Sequence, residues 1–384
     1  PLELLYSAPT HGKDIVLSLN PSWNSMAEKA IENAYNNVPA DLANQSQHEV
    51  NLNNPKVGFA IIDLENGGIP VLVSTPTLNR EKFNSDYGEM ILLRDGSPLR
   101  HRALAGNYWP KETPYPGSTF KPLVAAAALL KDMSFYDRKY HCAGLMTIEE
   151  TGSTLSCDTN YGHQDISMRE ALKKSCNIYF YKLAAELGAE AIHSLATELG
   201  FGALTGVEVP DLERGAPYLS DLNSLKKNSI RLMRTAIGQV GVQASPLQMA
   251  RFYGWLAVNR LVSPSLIDFS PSAIKPAPNF KGPQLSKSQQ EKITDSLLSV
   301  SYEFGGTAFE TGFSSDFEVA AKTGTAQVAA SGSLQPTHAW FAGYFPASKP
   351  RYAFAIMCEN AGLHGGEIAS YVLKEFLELI DFSK

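Results

Sequence analysis

The chain has 384 residues, 44% hydrophobic and 19% charged, so it is an ordinary globular sequence that can bury one large core or two smaller ones. Its net charge of −6, with scattered basic residues, gives no support for nucleic-acid binding. The longest apolar run, residues 123–130, is far shorter than the roughly 18 residues of a membrane span. The chain begins with Pro1 and carries no visible signal peptide, so we expect a processed or truncated chain whose anchor would lie upstream.

The N-terminal part is predicted to contribute a helix and two strands. Residues 14–19 have the pattern of a short strand, and Pro21, at a first-turn position, begins a helix. The apolar runs 56–63 and 69–74 predict two strands, and the Gly-rich segment 65–68 between them predicts a hairpin turn.

The first motif with chemical meaning is Ser118-Thr-Phe-Lys121, which begins an Ala- and Leu-rich helix predicted over residues 118–131. Residues at i and i+3 share a helix face, so the hydroxyl can meet the amine, and a buried neutral lysine can act as its base. The same spacing begins at Ser224, where the polar context predicts a solvated helix face. Ser118 differs because a Pro-Gly turn precedes it and an apolar helix follows. The alternative is a plain N-cap serine beside a surface lysine.

The second motif, Ser175-Cys-Asn177, lies between two helices predicted within residues 168–198. A hydroxyl here can pass a proton between Lys121 and a leaving amine, and the amide can accept from and donate to a peptide backbone. The spacing is weak evidence, because Ser18 and Ser22 begin the same pattern. Taken alone, the motif is better explained by a helix-capping serine and a satisfied asparagine.

The third motif, Lys322-Thr-Gly324, follows an apolar run and is predicted to lie on a strand over residues 319–327. A glycine inside a strand often marks the close approach of a ligand. Thr323 and Thr325 share one face of such a strand, so with Lys322 they suit a substrate carboxylate. We expect Lys322 also to help lower the pKa of Lys121. The alternative is an edge-strand lysine at a β-bulge.

The cysteines indicate little by themselves. No CxxC pair is present, so we expect neither zinc nor any other metal or cofactor. Cys142 and Cys157 flank a short polar loop and either form a disulfide in an oxidising compartment or remain separate thiols. Cys176 lies inside the second motif and Cys358 in an apolar strand-like run, while His163 either shapes a pocket or is a hydrogen-bonded loop residue.

The remaining patterns complete a composite α+β architecture. Further helices are predicted over residues 245–260, 289–300 and 367–380, further strands over 339–345 and 352–358, and a Pro- and Ser-rich linker over 263–287. The strands near the two ends of the chain, in about 56–75 and 317–360, are expected to form one sheet. A helical lobe of about 125–300 separates them in sequence.

With these motifs the chain resembles the penicillin-binding proteins, in particular a monofunctional, class B-like transpeptidase domain. The similarity runs from about Asp14 to the C-terminus, and no glycosyltransferase domain is recognisable. The segments that carry it are YPGSTFKP (115–122), KSCNIYF (174–180), GQVG (238–241), SPLQMA (245–250), AKTGTAQ (321–327), HAWFAG (338–343) and Glu359-Asn360.

The resemblance implies the β-lactamase/transpeptidase-like serine acyltransferase fold, of the α/β (α+β) class. This fold has a five-stranded antiparallel sheet flanked by helices, plus an all-helical lobe. Residues 14–384 would form the transpeptidase domain, and residues 1–13 a leader remnant or linker. The implied roles are the nucleophile for Ser118, its base for Lys121, proton relay and peptide contact for Ser175 and Asn177, and binding of the terminal carboxylate for Lys322, Thr323, Gly324 and Thr325. The N–H groups of Ser118 and Thr325 would form the oxyanion hole.

The implied activity is that of a peptidoglycan D,D-transpeptidase without cofactors, at the extracytoplasmic face of a bacterial inner membrane. Its partners would be stem peptides, β-lactams that acylate Ser118, and a membrane glycan polymerase. Three alternatives stay open: a D,D-carboxypeptidase with water as acceptor, a serine β-lactamase, and a β-lactam-sensing or scaffolding domain that is acylated without turnover.

Overall fold

The computed structural model describes residues 14–38, 54–79, 81–93, 96–105, 114–213, 218–268, 282–327, 337–361 and 367–380. The strands, in chain order, are β1 (Val57–Asp63), β2 (Val71–Ser74), β3 (Tyr140–Cys142), β4 (Leu145–Ile148), β5 (Ser153–Ser156), β6 (Gln164–Ile166), β7 (Tyr218–Leu219), β8 (Val242–Gln243), β9 (Ala320–Gln327), β10 (Thr337–Phe345) and β11 (Tyr352–Cys358). Five of them form one antiparallel sheet in the order β2-β1-β11-β10-β9. The predicted composite sheet, built from the two ends of the chain, is therefore confirmed.

The α-helices surround this sheet and build the lobe beside it. In chain order they are α1 (Pro21–Asn36), α2 (Phe83–Leu92), α3 (Lys121–Lys131), α4 (Met168–Lys173), α5 (Asn177–Leu187), α6 (Ala189–Glu198), α7 (Leu222–Lys227), α8 (Ser229–Ala236), α9 (Pro246–Val258), α10 (Lys287–Tyr302) and α11 (Glu367–Leu379). None of these described helices is both long and apolar enough to cross a bilayer.

Both faces of the sheet are covered, which explains why its strands are apolar at consecutive positions. All seven residues of β1 are buried. Alternate side chains enter different cores: Ala60 and Ile62 join one, whereas Phe59 and Ile61 join the other. Helix α9 packs against β1, β10 and β11 on the first side, and α1 and α11 cover the second.

Helix α3 lies in the middle of the helical lobe. Every residue from Lys121 to Leu129 is buried, as expected for a helix that is apolar all round. It contacts α4, α5, α6 and α10. The first motif therefore stands at the N-terminal end of a largely buried helix of the lobe, next to the edge strand β9.

Residues 140–166 form a small β region between α3 and α4. It consists of two separate two-stranded pairs, β3 with β6 and β4 with β5. The sequence analysis did not predict these strands, because each is only three or four residues long and isolated pairs of this size are marginal.

Three local predictions were wrong in detail. Residues 14–19 form no strand: Leu17 makes only an isolated bridge to Ile267, and its side chain is 53% exposed. The segment 168–198 contains three helices rather than two, because the second motif and Gly188 each interrupt it. The predicted helix at Ser118 starts as a 3-10 turn. The predicted linker 1–13 lies outside the described residues.

Candidate active site

A tight turn brings Ser118 to the start of α3. Gly117 has φ +55, a left-handed conformation that favours glycine, and its N–H donates to the Gly238 carbonyl at 2.9 Å. Residues Gly117–Phe120 then form a 3-10 turn in which the Lys121 N–H donates to the Ser118 carbonyl. Side chains three residues apart eclipse one another in such a turn, so Ser118 and Lys121 project from the same side of it.

Lys121 is fully buried and is surrounded by oxygen atoms of the second motif. Its Nζ donates to the Ser175 carbonyl at 2.5 Å, to Asn177 Oδ1 at 2.7 Å and to Ser175 Oγ at 3.2 Å. The Phe180 ring centroid lies 5.6 Å from the same nitrogen. The first and second motifs, far apart in sequence, therefore meet at one amine.

The environment of Lys121 makes its neutral form more accessible than that of an exposed lysine. Burial lowers the pKa of Lys121 to about 8, while Asp158, Cys176 and Cys157 act in the opposite direction. A lysine with this pKa can accept a proton near neutral pH, whereas an exposed lysine is almost always protonated. The predicted depression of the pKa is confirmed, and burial is its main cause.

The second motif owes its position to an unusual backbone turn between α4 and α5. Ser175 has φ +59, which is rare for a residue with a side chain, and the next N–H, of Cys176, donates to the Ala171 carbonyl at 2.9 Å. Asn177 is the first residue of α5. This arrangement directs both the Ser175 carbonyl and the Asn177 amide toward Lys121.

Lys322, in the third motif, is also fully buried. Its Nζ donates to the Thr323 carbonyl at 3.1 Å and to Thr323 Oγ1 at 3.4 Å. Burial and then the charge of Lys121 hold the pKa of Lys322 well below its ordinary value, and Asp158 opposes this. We also predicted the reverse influence, of Lys322 on Lys121, which is not among the causes of the lowered pKa of Lys121; its main cause is the burial that we likewise expected.

Gly324 does mark a close approach, but the approaching group belongs to the protein itself. A Cβ at Gly324 would lie 2.9 Å from Thr119 Cγ2 and 3.0 Å from the Pro116 carbonyl oxygen. This close packing accounts for the glycine without a ligand, and substrate binding at Gly324 stays a prediction. The absent side chain instead lets β9 pack directly on the turn that carries Ser118.

The two threonines of the third motif have different environments. Thr323 is 1% exposed, and its hydroxyl lies 2.5 Å from Thr307 Oγ1. Thr325 is partly exposed, and its carbonyl accepts from Gln239 Nε2 at 2.9 Å. Thr323 therefore supports Lys322 from inside, which leaves Thr325 as the threonine of this motif nearer to solvent.

A cavity of about 370 Å³ opens beside Asn177. The residues that line it are Tyr115, Thr154, Leu155, Ser156, Asn177, Tyr181, Arg234, Ile237, Gln239, Val240 and Gln327. A larger cavity of about 770 Å³ lies elsewhere and contains no residue of the three motifs. The smaller one is the candidate substrate cleft, because Asn177 of the second motif lines it together with Tyr115 and Gln327, which lie close in sequence to the first and third motifs.

The sequence analysis missed three residues of this site. Asp158 is the carboxylate that raises the pKa of both buried lysines. The Gln239 side chain hydrogen-bonds to the Thr325 carbonyl and to the N–H of Gln327. The Thr307 hydroxyl hydrogen-bonds to the Thr323 hydroxyl. Asp158 and Thr307 follow no recognisable spacing. Gln239 does lie in the GQVG segment quoted for the resemblance, which could have singled it out.

The other serines that match the S-x-x-K and S-x-N patterns have structural explanations. Ser224 belongs to the short helix α7, where its hydroxyl donates to Asp221 Oδ2 at 2.6 Å, and Lys227 is exposed. Ser18 donates to the Ser265 carbonyl at 2.7 Å, and Ser22 is exposed. These positions lack the buried lysine that distinguishes Ser118.

Four possible metal ligands lie together next to the second motif. The ligand atoms of Cys142, Cys157, His163 and Cys176 are all within 4.8 Å of one another. All four cysteines, including Cys358, are free thiols, so no Cys142–Cys157 disulfide is present. Our argument against zinc rested on the absence of a CxxC pair; it did not anticipate ligands from four separate segments.

The chain belongs to the family described as "Penicillin binding protein transpeptidase domain", which matches residues 57–378. The peptidoglycan D,D-transpeptidase MrdA of Acinetobacter baumannii is 28% identical over 393 residues, which cover 94% of this chain and 53% of that protein. The peptidoglycan D,D-transpeptidase PbpA of Mycobacterium tuberculosis is 28% identical over 348 residues, which cover 83% of this chain and 66% of that protein. The chain thus spans about half to two thirds of the length of these relatives.

The fold is shared with solved penicillin-binding proteins. The crystal structure of PBP2 from Pseudomonas aeruginosa superposes with a TM-score of 0.77 at 25% identity, over 97% of this chain and 80% of that one. The expected serine acyltransferase fold is therefore confirmed.

Proposed function

We propose that this chain is a peptidoglycan D,D-transpeptidase that cross-links stem peptides through an acyl-Ser118 intermediate. The observation that carries the proposal is the convergence on Lys121: a buried amine with a pKa of about 8 lies 3.2 Å from Ser175 Oγ and 2.7 Å from Asn177 Oδ1. Membership of the transpeptidase family and the names of the relatives support the same activity.

In the acylation step, neutral Lys121 takes the proton of the Ser118 hydroxyl as Oγ bonds to the carbonyl carbon between the two terminal D-alanines. The carbonyl oxygen becomes negative and is held by the N–H groups of Ser118 and Thr325, the pair that the family resemblance implies. The C–N bond then breaks. D-Alanine leaves with a proton that passes from the Lys121 ammonium through Ser175 Oγ, and the acyl group stays on Ser118.

In the transfer step, the side-chain amine of a neighbouring stem peptide attacks the acyl carbon. Its proton returns through Ser175 to Lys121, and Ser118 Oγ leaves with the proton that Lys121 held. The new peptide bond is the cross-link, and the enzyme regains its first state. A β-lactam follows the acylation step alone, because its leaving amine remains tethered to the acyl group.

We assign substrate binding to the cleft and to the third motif. Asn177 can hold the peptide backbone, and Lys322 with Thr325 can bind the terminal carboxylate, whose negative charge would itself favour the charged form of Lys322. Peptidoglycan is assembled outside the cytoplasmic membrane, so we place the domain at that extracytoplasmic face. A membrane-bound glycan polymerase is the partner that would supply its strands.

The test is acylation by fluorescent penicillin, followed by intact mass and peptide mapping. Ser118→Ala should lose labelling completely, whereas Ser224→Ala, a change at the second S-x-x-K match, should label like the parent protein. Labelling that persists in Ser118→Ala would overturn the assignment of the nucleophile.

Product analysis then separates the remaining activities. With a pentapeptide donor, an added acceptor amine should appear in the product of a transpeptidase. A carboxypeptidase would release only the tetrapeptide. Stable acylation with no peptide turnover would indicate a sensor or scaffold, and rapid consumption of penicillin would indicate a β-lactamase.

A further inference from the structure

Arg234 places a positive charge in the cleft beside Asn177. Of the described residues that line this cavity of about 370 Å³, only Arg234 carries a charge at neutral pH; the others have apolar, amide, hydroxyl or phenol side chains. Arg234 is exposed, and within the described part of the chain its guanidinium forms no ion pair and no side-chain hydrogen bond. The cleft therefore presents an uncompensated positive charge to a molecule that binds there.

The turn after α8 fixes Arg234 relative to the motifs. The Gln239 N–H donates to the Arg234 carbonyl at 3.0 Å. The Gln239 side chain donates to the Thr325 carbonyl at 2.9 Å and accepts from the Gln327 N–H at 3.1 Å. Helix α8 also packs against α5, which begins at Asn177. Arg234 is thus connected to β9 through one residue and to the second motif through helix packing.

Tyr181, on α5, lines the same cleft as Arg234. Its side chain is 4% exposed. Burial raises the pKa of Tyr181, whereas the charge of Arg234 lowers it, so the guanidinium acts on the phenol across the cleft. A phenol hydroxyl and a guanidinium are both hydrogen-bond donors, so the two can bind one carboxylate together.

A donor peptide bound for acyl transfer would place a side chain in this cleft. In the proposed reaction its terminal carboxylate lies at Lys322 and Thr325, and the backbone of the residue before D-Ala–D-Ala lies at Asn177. The side chain of that residue would then extend into the cavity that Asn177 and Arg234 both line. An arginine binds a carboxylate through two parallel hydrogen bonds and repels an ammonium group.

We propose that Arg234 is a specificity-determining residue that binds a side-chain carboxylate of the donor peptide, at the residue preceding D-Ala–D-Ala. The inference deepens the proposed function and rests on it for the identity of the peptide. A donor with a neutral or solely cationic side chain at this position reacts more slowly. The competing role of Arg234 is to stabilise the last turn of α8, whose carbonyl groups favour a cation.

A pair of penicillins tests Arg234 without peptide turnover. One carries an adipyl side chain, which ends in a carboxylate, and the other carries the same chain ending in a primary amide. We expect the carboxylate form to acylate Ser118 about 10- to 100-fold faster at low salt, and this preference to shrink as salt is added. Arg234→Gln should make the two rates similar. Lys227→Gln, a matched change at an exposed lysine outside the cleft, should keep the preference.

Arg234→Lys separates recognition from helix stability. It keeps a cation in the last turn of α8 but loses the paired donors of the guanidinium. The free energy of unfolding should therefore stay the same while the preference for the carboxylate falls several-fold. Equal acylation by the two penicillins in the parent protein, or a preference that survives Arg234→Gln, would overturn the assignment.

Two pentapeptide donors extend the test to the proposed reaction. They differ only in a carboxylate or its amide on the side chain before D-Ala–D-Ala. We expect kcat/KM to be about 10- to 100-fold higher for the carboxylate donor, and Arg234→Gln to remove this difference. A preference seen only when the carboxylate is on the acceptor would refute the assignment to the donor. Acylation of Ser118 without peptide turnover would refute the proposed function, and the penicillin pair would still decide the role of Arg234.

Discussion

The two buried lysines are the most unusual single residues of this protein. Lys121 and Lys322 are both fully buried, and the charge of Lys121 contributes to the lowered pKa of Lys322. Asp158 is the carboxylate that favours the charged form of each. Because one negative charge serves two buried amines, the pKa of each stays below its ordinary value, and Lys121 is the one that shares the first motif with Ser118.

The acylation rate should therefore rise with pH through the pKa of Lys121, about 8, and level off above it. The sign follows from the chemistry: the neutral amine is the base, and its fraction grows as pH passes the pKa. The groups that raise this pKa are Asp158, Cys176 and Cys157. The measurement is the rate of penicillin acylation over a pH series on both sides of that value.

Lys121→Ala is the matched variant for this series. It should lower the rate by about 10²–10⁴-fold and remove the pH step. A step that survives the substitution would assign the base to another group.

Thr323 and Thr325 should respond differently to loss of their hydroxyls. Thr323→Val leaves the partly buried Thr307 hydroxyl without this partner, so we expect a loss of about 1–3 kcal/mol in unfolding free energy with little change in acylation. Thr325→Val should leave stability unchanged and slow acylation about tenfold or more. Denaturant unfolding measures the effect on stability, and the rate of penicillin labelling measures the effect on acylation. If Thr323→Val slowed acylation and Thr325→Val did not, the carboxylate contact would be assigned to Thr323.

Among the structural elements, the contact between β9 and the turn of Ser118 determines the geometry of the site. Gly324 lets the strand meet Thr119 and the Pro116 carbonyl, and Gly117 would place a Cβ 2.5 Å from the Thr325 carbonyl oxygen. On the other side of the turn, a Cβ at Gly238 would lie 2.1 Å from the Gly117 carbonyl oxygen. Glycines at these contacts let three separate elements pack backbone against backbone.

Gly324→Ala should therefore disturb catalysis more than folding. Its Cβ would meet backbone 3.0 Å away, so the strand must move from the turn, and we expect acylation to fall about 100-fold. The control is Gly88→Ala on α2, where a Cβ meets nothing within 4 Å; this variant should be about 0.5–1 kcal/mol more stable and fully active. Equal acylation by the two variants would refute the role given to the close packing.

For the whole molecule, the sheet joins segments from both ends of the chain, with the helical lobe between them. A buried ion pair adds to this connection: Arg102 Nε lies 2.8 Å from Glu359 Oε2, and the two side chains are 0% and 3% exposed. Glu359 directly follows β11. The pair therefore joins the segment before the first motif to the end of a central strand.

Glu359→Gln should destabilise the protein by about 3–5 kcal/mol, because it leaves the Arg102 guanidinium buried without a negative partner. The measurement is the free energy of unfolding in denaturant. Lys287→Ala removes the exposed Lys287–Glu291 pair, whose side chains are 90% and 64% exposed, and should have little effect. Similar losses of unfolding free energy in both variants would show that burial of the Arg102–Glu359 pair contributes nothing to stability.

The sequence alone determined the local chemistry of this protein. Spacing of three residues places a serine and a lysine on one face, period-two alternation assigns strands, and continuous apolar runs such as β1 predict a sheet covered on both sides. These features depend on neighbouring residues, so they can be recognised without the fold. The resemblance carried by the three motifs then indicated the architecture and the activity.

Only the tertiary structure decided which groups meet. It placed Ser175 and Asn177 against Lys121 and put Asp158 close enough to act on the pKa values of two lysines. It packed Gly324 against the turn that carries Ser118. It also gathered four side chains that could bind a metal from segments with no recognisable spacing. The physical reason is that these contacts arise from packing between elements distant in sequence. Burial, which lowers the pKa of Lys121, is likewise a property of the assembled core rather than of any segment.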